Sequence, residues 1–325
     1  MPNRCVTNEE LSRTIDTTDE WIKERVGISQ RFICGPNETS ITLACTAAVR
    51  AMEVAQVSAD EIEVVIFASV TPDRHLPSGA AVLLGELGIP QALAFDLRAA
   101  CSGFLFGLTT ADALLQSLGK RTALVVGAES LSRIINWKDR NTCVLFGDGA
   151  GAVILRAEND SEGAVAPKTI LASSLGTDGS SQSLIRQTGA AFPPHTCPYG
   201  AEVALQHTNP YVEMEGREVF RFGVNAMVRS IEEVLEASGK TVADIAYFIP
   251  HQSNRRMIDA VGAKIGMLDP ERIALNLDRI GNTSAASIPI ALDEAVRTSK
   301  ISRGDLVLLT AVGSGMTFGS VLLRW

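Results

Sequence analysis

The chain has 325 residues, 46% of them hydrophobic and 20% charged, with a net charge of −8 and a mean hydropathy of +0.16. That length fills one large domain or two fused smaller ones. The acidic balance, without a long basic run or a basic patch interleaved with aromatics, argues against nucleic acid, and no apolar run reaches the length of a membrane span.

Six cysteines (Cys5, Cys34, Cys45, Cys101, Cys143 and Cys197) include no Cys-x-x-Cys pair, and the four histidines do not join them at zinc spacing. A reduced, cytoplasmic protein with free thiols and no metal is the simplest account. The polar opening Met-Pro-Asn-Arg-Cys carries no signal-peptide pattern.

In chain order, Thr7 and the Asp16–Trp21 stretch read as capped helix starts, and Gly27 reads as the end of the second helix. An Ala-rich amphipathic helix spans 40–57. Residues 63–70 form a near-continuous apolar run, as in a strand buried on both faces. A helix over 77–87 precedes a buried strand near 94–97. There follows Ala99-Ala100-Cys101-Ser102-Gly103-Phe104, a tight turn leading into a helix over 104–118. A thiol at a helix start meets unpaired N–H groups and the positive dipole end, which favour thiolate. The alternative is a small buried cysteine.

Residues 122–128 form another buried strand. Gly147-Asp148-Gly149-Ala150-Gly151 lacks dinucleotide-fingerprint spacing and reads as a hairpin turn between strands 143–146 and 152–156. Residues 176–212 lack periodicity over a length that marks a functional loop or an insertion, and hold His195 and His207. A helix over 217–238, a strand over 245–250 and a helix through 264 follow. Helix 285–298 and strands 306–312 and 319–325 complete an α/β alternation.

Two segments share one grammar of strand, turn, helix and strand, the first with Cys101 at its turn and the second with Asn282. This suggests a duplicated unit with a pseudo-two-fold axis. Cys101, His251 and Asn282 each read as following a buried strand, where α/β proteins place their chemistry. Together they offer a nucleophile, a base or donor, and an orienting donor. Taken singly, His251 is also compatible with a structural histidine and Asn282 with an ordinary turn residue.

The motifs Thr17-Thr18-Asp19-Glu20-Trp21-Ile22, Arg25-Val26-Gly27-Ile28, Ala99 to Phe104, Phe146 to Gly151, Pro250-His251-Gln252-Ser253-Asn254, the stretch from Gly281 to Ser287 and Gly313-Ser314-Gly315 stand in one order. Through them the chain resembles the β-ketoacyl-acyl-carrier-protein synthase III family of the thiolase superfamily. The resemblance implies a five-layered αβαβα fold of two duplicated halves, 1–165 with the nucleophile and 166–325 with the histidine and asparagine, assembled as a homodimer. It implies a Cys101, His251, Asn282 triad and a decarboxylating Claisen condensation of an acyl-CoA with malonyl-acyl carrier protein. No permanently bound cofactor is implied, and acyl-CoA enters as a substrate.

The resemblance further places an oxyanion hole at the backbone N–H groups of Cys101 and Ser314. It puts Trp21, Arg25 and Arg140 at the nucleotide, Gly216 and Asn254 along the pantetheine channel, and Arg221, Arg256 and Lys264 in a carrier-protein patch. Three departures stand out. Family members carry a further strand ahead of the segment matching Met1, so the first sheet is expected to show a gap or a substitute. Leu76 replaces a bulky aromatic of the acyl pocket, and the 176–212 stretch is long. The last two keep open a condensing enzyme or acyltransferase of secondary metabolism.

Overall fold

The computed structural model describes residues 1–157, 169–188 and 209–325. His195, His207, Cys197 and the expected boundary at 165/166 lie outside them. A small antiparallel pair, β1 (Arg4–Thr7) and β2 (Gln30–Ile33), brackets α1 (Asn8–Ser12) and α2 (Asp19–Val26). Thr7 and Thr18 accept from Glu10 N and Trp21 N at the starts of these helices. Gly27 ends α2 at φ 82°, as the sequence suggests.

The chain then runs through α3 (Ser40–Ala55), β3 (Val64–Ala68), α4 (Gly79–Leu87), β4 (Leu93–Leu97), α5 (Gly103–Leu118), β5 (Thr122–Glu129), α6 (Arg140–Cys143) and β6 (Gly149–Arg156). These strands form one sheet in the order β4-β3-β5-β6, with β6 antiparallel to β5 and the other pairs parallel. The later part holds β7 (Ile170–Thr177), β8 (Ile185–Arg186), β9 (Glu213–Met214), α7 (Gly216–Ser238), β10 (Tyr247–Pro250), α8 (Arg255–Ile265), α9 (Leu277–Ile280), α10 (Ser287–Arg297), β11 (Leu306–Gly313) and β12 (Thr317–Arg324). Its sheet has the order β10-β11-β12-β7.

Burial sets the layers. In α10, Ile288, Ala291, Leu292 and Ala295 recur at helical spacing and join the α5 residues Phe104, Leu108, Ala111 and Leu115 in one core with strands of both sheets. Each large aliphatic side chain so buried contributes roughly 1.5–3 kcal/mol. Helices α3 and α4 cover the outer face of the first sheet. Helices α7 and α8 cover the outer face of the second. The result is the expected five-layered αβαβα arrangement, with α5 and α10 in the middle.

Several readings need correction. Strand β4 is not the buried strand expected near 94–97: it is a sheet edge, and Leu93 is 41% exposed. Residues 143–146 are not a strand, because Cys143 ends α6 and Phe146 makes a single parallel bridge to Asn282. The glycine run therefore joins a helix to β6 rather than turning a hairpin. Its Gly147 N–H donates to Asn282 O, 3.0 Å away. In the second sheet β12 is flanked by β11 and β7, whereas in the first β6 pairs only with β5 among the described residues.

Candidate active site

Cys101 lies in a 3₁₀ turn, Ala100–Ser102, between β4 and α5. Ala100 takes φ 47°, a left-handed conformation that bends the chain sharply before the thiol. The turn is held from the other half of the molecule. Thr317 Oγ1 donates to Ala99 O at 2.8 Å, and Ser102 Oγ donates to Thr317 O at 3.2 Å. Gly313 lies flush against the turn, since a Cβ there would sit 2.7 Å from the Cys101 nitrogen. Cys101 is partly exposed as a residue, yet its thiol is enclosed.

That enclosure overturns the expectation of a thiol favouring thiolate. Burial pushes the Cys101 thiol up to about 12, and the carboxylate of Glu129 adds to the rise, while the Ser284 hydroxyl and the cysteine's own amide oppose it. The cysteine precedes the first residue of α5, and the partial charge of a helix end does not offset the loss of water.

His251 is 1% exposed, directly after β10, with its N–H bound to Thr310 O at 2.7 Å. Burial lowers its imidazole to about 3, so the ring is neutral near pH 7. Nδ1 stands 2.6 Å from Ser287 Oγ, and the same oxygen accepts a longer bond of 3.4 Å from Gln252 N–H. With the serine proton given to Nδ1, Nε2 carries the ring hydrogen as a neutral donor. Gln252 is itself locked: Nε2 donates to Pro250 O and Ala274 O, and Oε1 accepts from Asn276 N.

Asn282 does not follow a strand. It follows α9 and Gly281, and is fixed by Asn282 N–H donating to Leu145 O at 2.9 Å. Its side-chain oxygen accepts from Ser284 N–H at 2.8 Å, so the amide nitrogen is the end free to donate outward. The duplicated grammar also shifts. The turn that repeats Ala100–Ser102 is Ser284–Ala286, where Ser284 takes φ 51°. The counterpart of Cys101 is thus Ala285, and Asn282 lies three residues earlier.

The segment from Asn282 to Ser287 touches all three sequence-derived residues. Asn282 belongs to it, its turn Ser284–Ala286 packs against the turn that holds Cys101, and Ser287 meets His251. Sequence reasoning quoted this segment without assigning roles to Ser284, Ser287, Gln252 or Glu129. A trace of Glu129 was visible as the one charge closing the apolar run 123–128.

The other expected positions fall into groups. The Trp21 ring is flanked by the guanidinium carbons of Arg140 at 4.8 Å and Arg25 at 5.8 Å. Asn254 caps α8 through Arg256 N–H at 2.8 Å and reaches Arg25 O at 3.5 Å, so α8 and the end of α2 are neighbours. Gly216 opens α7. Arg221, Arg256 and Lys264 are all exposed; Arg221 pairs with Glu218, and Lys264 Nζ crosses from α8 to Asn225 of α7 at 3.0 Å. Ser314 Oγ donates to Ile185 O at 2.6 Å. Leu76 is 87% exposed and lines no enclosed space within one chain. Among the described residues no group of three His, Cys, Asp or Glu side chains could hold a metal, and no helix is long and apolar enough to cross a membrane.

Residues 95–179 match the family described as 3-oxoacyl-[acyl-carrier-protein (ACP)] synthase III, and residues 235–325 match its C-terminal part. The β-ketoacyl-[acyl-carrier-protein] synthase III of Acidiphilium cryptum is 46% identical over 325 residues, covering 100% of this chain and 96% of that protein. The crystal structure of 3-oxoacyl-[acyl-carrier-protein] synthase III from Aquifex aeolicus superposes with a TM-score of 0.90 at 39% identity, covering 100% of this chain and 97% of that one. The priming β-ketosynthase from the R1128 polyketide biosynthetic pathway superposes with a TM-score of 0.89 at 33% identity, over 99% and 92% of the two chains.

Proposed function

Because the chain belongs to the β-ketoacyl-acyl-carrier-protein synthase III family, we propose that its two-sheet seam joins an acyl-CoA to malonyl-carrier protein, giving 3-oxoacyl-carrier protein. The protein is an acyltransferase, and this condensation initiates fatty acid synthesis. The Cys101 thiolate attacks the acyl-CoA carbonyl, and CoA leaves. Malonyl-carrier protein then loses carbon dioxide. The carbanion attacks the Cys101 thioester and expels the thiolate.

Geometry supports the division of labour. The decarboxylation step builds negative charge on the malonyl thioester oxygen, which needs donors that carry no charge of their own to be neutralised. A neutral His251 offering Nε2–H and an Asn282 offering Nδ2–H meet that need. The acyl thioester oxygen is assigned to the N–H groups of Cys101 and Ser314. CoA is assigned to Trp21 between Arg25 and Arg140, with Gly216 and Asn254 along the pantetheine. The carrier protein is assigned to the face bearing Arg221, Arg256 and Lys264. Catalysis uses no bound cofactor in this reading, and takes place in the cytoplasm. Two chains associate through the open β4 edge, and Leu76, on the connection between β3 and α4, is assigned to the partner's acyl pocket. The observation that carries the assignment is the single segment from Asn282 to Ser287, which holds the amide, bonds the imidazole and packs against the turn of Cys101.

The test is intact mass after mixing with acetyl-CoA. Wild-type protein should gain one acetyl group and Cys101→Ala none; acetylation of the variant would refute the nucleophile assignment. A second reading, a priming condensation of secondary metabolism, is favoured by Leu76 and by the likeness to the R1128 ketosynthase. A panel of acyl-CoAs, read by product mass with malonyl-carrier protein, separates the two.

A further inference from the structure

Glu129 ends β5 with its side chain fully buried. Its Oε2 accepts from Ser69 Oγ at 3.2 Å, Val70 N–H at 3.1 Å, Thr71 N–H at 3.1 Å and Thr71 Oγ1 at 2.5 Å. These donors all lie on the connection that leaves β3, so the carboxylate is anchored from its own half of the molecule. Oε1 keeps a 3.3 Å share of Val70 N–H and accepts from Ser284 Oγ at 3.1 Å. That last bond crosses to the other half, 155 residues further along the chain.

Ser284 stands where it governs Asn282. The asparagine backbone is fixed separately, by its N–H on Leu145 O at 2.9 Å and by Gly147 N–H on its own oxygen at 3.0 Å. Those bonds leave open which end of the side-chain amide faces outward. Ser284 N–H decides it by donating to Asn282 Oδ1 at 2.8 Å, since a reversed amide would set two N–H donors against each other. The place of that N–H depends in turn on Ser284 taking φ 51°, a left-handed conformation that a side-chain-bearing residue holds only where its surroundings impose it. The bond from its hydroxyl to the anchored carboxylate imposes it from the side chain, and the close approach of Gly127 to Ala285 O imposes it from the backbone. The same carboxylate works against the first half-reaction, because it raises the Cys101 thiol. Any benefit it brings therefore lies in the second.

We propose that Glu129 is a positioning residue for decarboxylation: through the Ser284 hydroxyl it holds the turn whose N–H keeps the Asn282 oxygen inward, so that Nδ2–H faces the malonyl thioester oxygen. The inference rests on the reading of Asn282 as a donor to that oxygen. A reversed amide would present Oδ1, with its partial negative charge, to an oxygen that gains negative charge as carbon dioxide leaves. The malonyl group binds before that charge develops, so the loss falls on kcat rather than on KM. Acyl transfer to Cys101 does not use the amide.

The experiment uses the full chain and measures carbon dioxide release from malonyl-carrier protein, with kcat and KM separated, beside single-turnover acetylation of Cys101 by acetyl-CoA. Ser284→Ala deletes the hydroxyl and keeps the backbone N–H. Glu129→Gln keeps the side-chain shape and removes one of its two acceptor ends. Ser40→Ala is the control: Ser40 is also buried, and its Oγ donates to a carboxylate outside the site, Asp73 Oδ1, at 3.1 Å. Ser284→Ala and Ser40→Ala should both melt below wild type. The kcat for decarboxylation should fall at least about fivefold in Ser284→Ala and in Glu129→Gln, with KM within about twofold and acetylation no slower, while Ser40→Ala keeps both rates. The double variant should fall no further than the worse single one. Either single variant that melts cooperatively carries the test. Wild-type decarboxylation in a folded variant, equal slowing of both half-reactions, a raised KM at unchanged kcat, or losses that multiply in the double variant would each overturn the inference. Decarboxylation retained by Asn282→Ala would instead remove the donor reading beneath it, and no carbon dioxide from the wild-type protein would remove the proposed reaction itself.

Discussion

Ser287→Ala isolates the control of His251. The substitution deletes an oxygen 2.6 Å from Nδ1 and also strips Gln252 N–H of its 3.4 Å acceptor. Both groups are buried. A buried polar atom left without a partner costs about 1–3 kcal/mol, so a modest loss of thermal stability is expected. The kinetic consequence is more specific. Without the serine proton on Nδ1, the ring can place its own hydrogen there, and Nε2 then presents a lone pair to the developing oxyanion. If holding the productive tautomer is worth about 1.4–2.8 kcal/mol, decarboxylation slows by roughly ten- to a hundredfold. Acetylation of Cys101 does not use Nε2 and should change by less than about twofold, under the half kcal/mol typical of changes that touch no functional feature. The assay pairs release of carbon dioxide from malonyl-carrier protein with intact mass of the acetyl-enzyme. Decarboxylation at the wild-type rate, or an equal slowing of both steps, would refute the idea that Ser287 sets the tautomer.

Three further outcomes follow from the geometry. In Gly127→Ala the new methyl overlaps the Ala285 carbonyl, with Ala285 C only 2.8 Å away, and backbone cannot yield as a side chain can; a cost of about 1–3 kcal/mol and a drop in decarboxylation are expected, and a variant with wild-type melting would show the turn is more compliant than described. The pH dependence has two opposed parts: His251, held at about 3 against 6.5, costs stability as pH falls from 6.5 toward 3, whereas Glu129, raised from 4.5 to about 7, contributes stability that is full below 4.5 and lost as pH rises to 7. Denaturation of Glu129→Gln beside wild type should therefore show the variant gaining between pH 4.5 and 7, on the order of 3 kcal/mol, and a gap that stays constant with pH would mean that folding does not raise the carboxyl above its unfolded value. Trp21→Ala removes the ring held between Arg25 and Arg140; base stacking of about 1–3 kcal/mol predicts a KM for acyl-CoA at least several-fold higher with kcat less affected, and an unchanged KM would place the nucleotide elsewhere.

Much of this was legible because the chemistry interrupts apolar runs. His251 and Cys101 are polar residues at the ends of strands, and their helices announce themselves by spacing. What stayed hidden depends on long-range enclosure. The sequence around Cys101 shows a helix start but not the packing of Gly313 and Thr317, more than two hundred residues later, against the backbone of its turn. Glu129 reads as a solvated charge at a strand end until the loop at Ser69 to Thr71 folds over it. Strand β7 was missed for a related reason. Its Ser173-Ser174 pair breaks the apolar pattern, while Ser174 finds Glu233 of α7 and the register is imposed by β12. The pairing of the two turns was visible only approximately, since the repeat is one of backbone conformation at Ala100 and Ser284 rather than of side-chain identity.

The contacts of Gly127 with Ala285 and of Gly313 with Cys101 run in opposite directions across the seam. In each, a strand of one sheet supplies bare backbone against the turn that belongs to the other. Neither sheet can therefore diverge on its own. A bulkier residue tolerated by one side has to be answered by a retreat on the opposite side, far away in the sequence. The reach of the thiol is thus inherited jointly, and an enzyme of this design changes its substrate by remodelling the rim, where Leu76 projects, while the floor stays fixed.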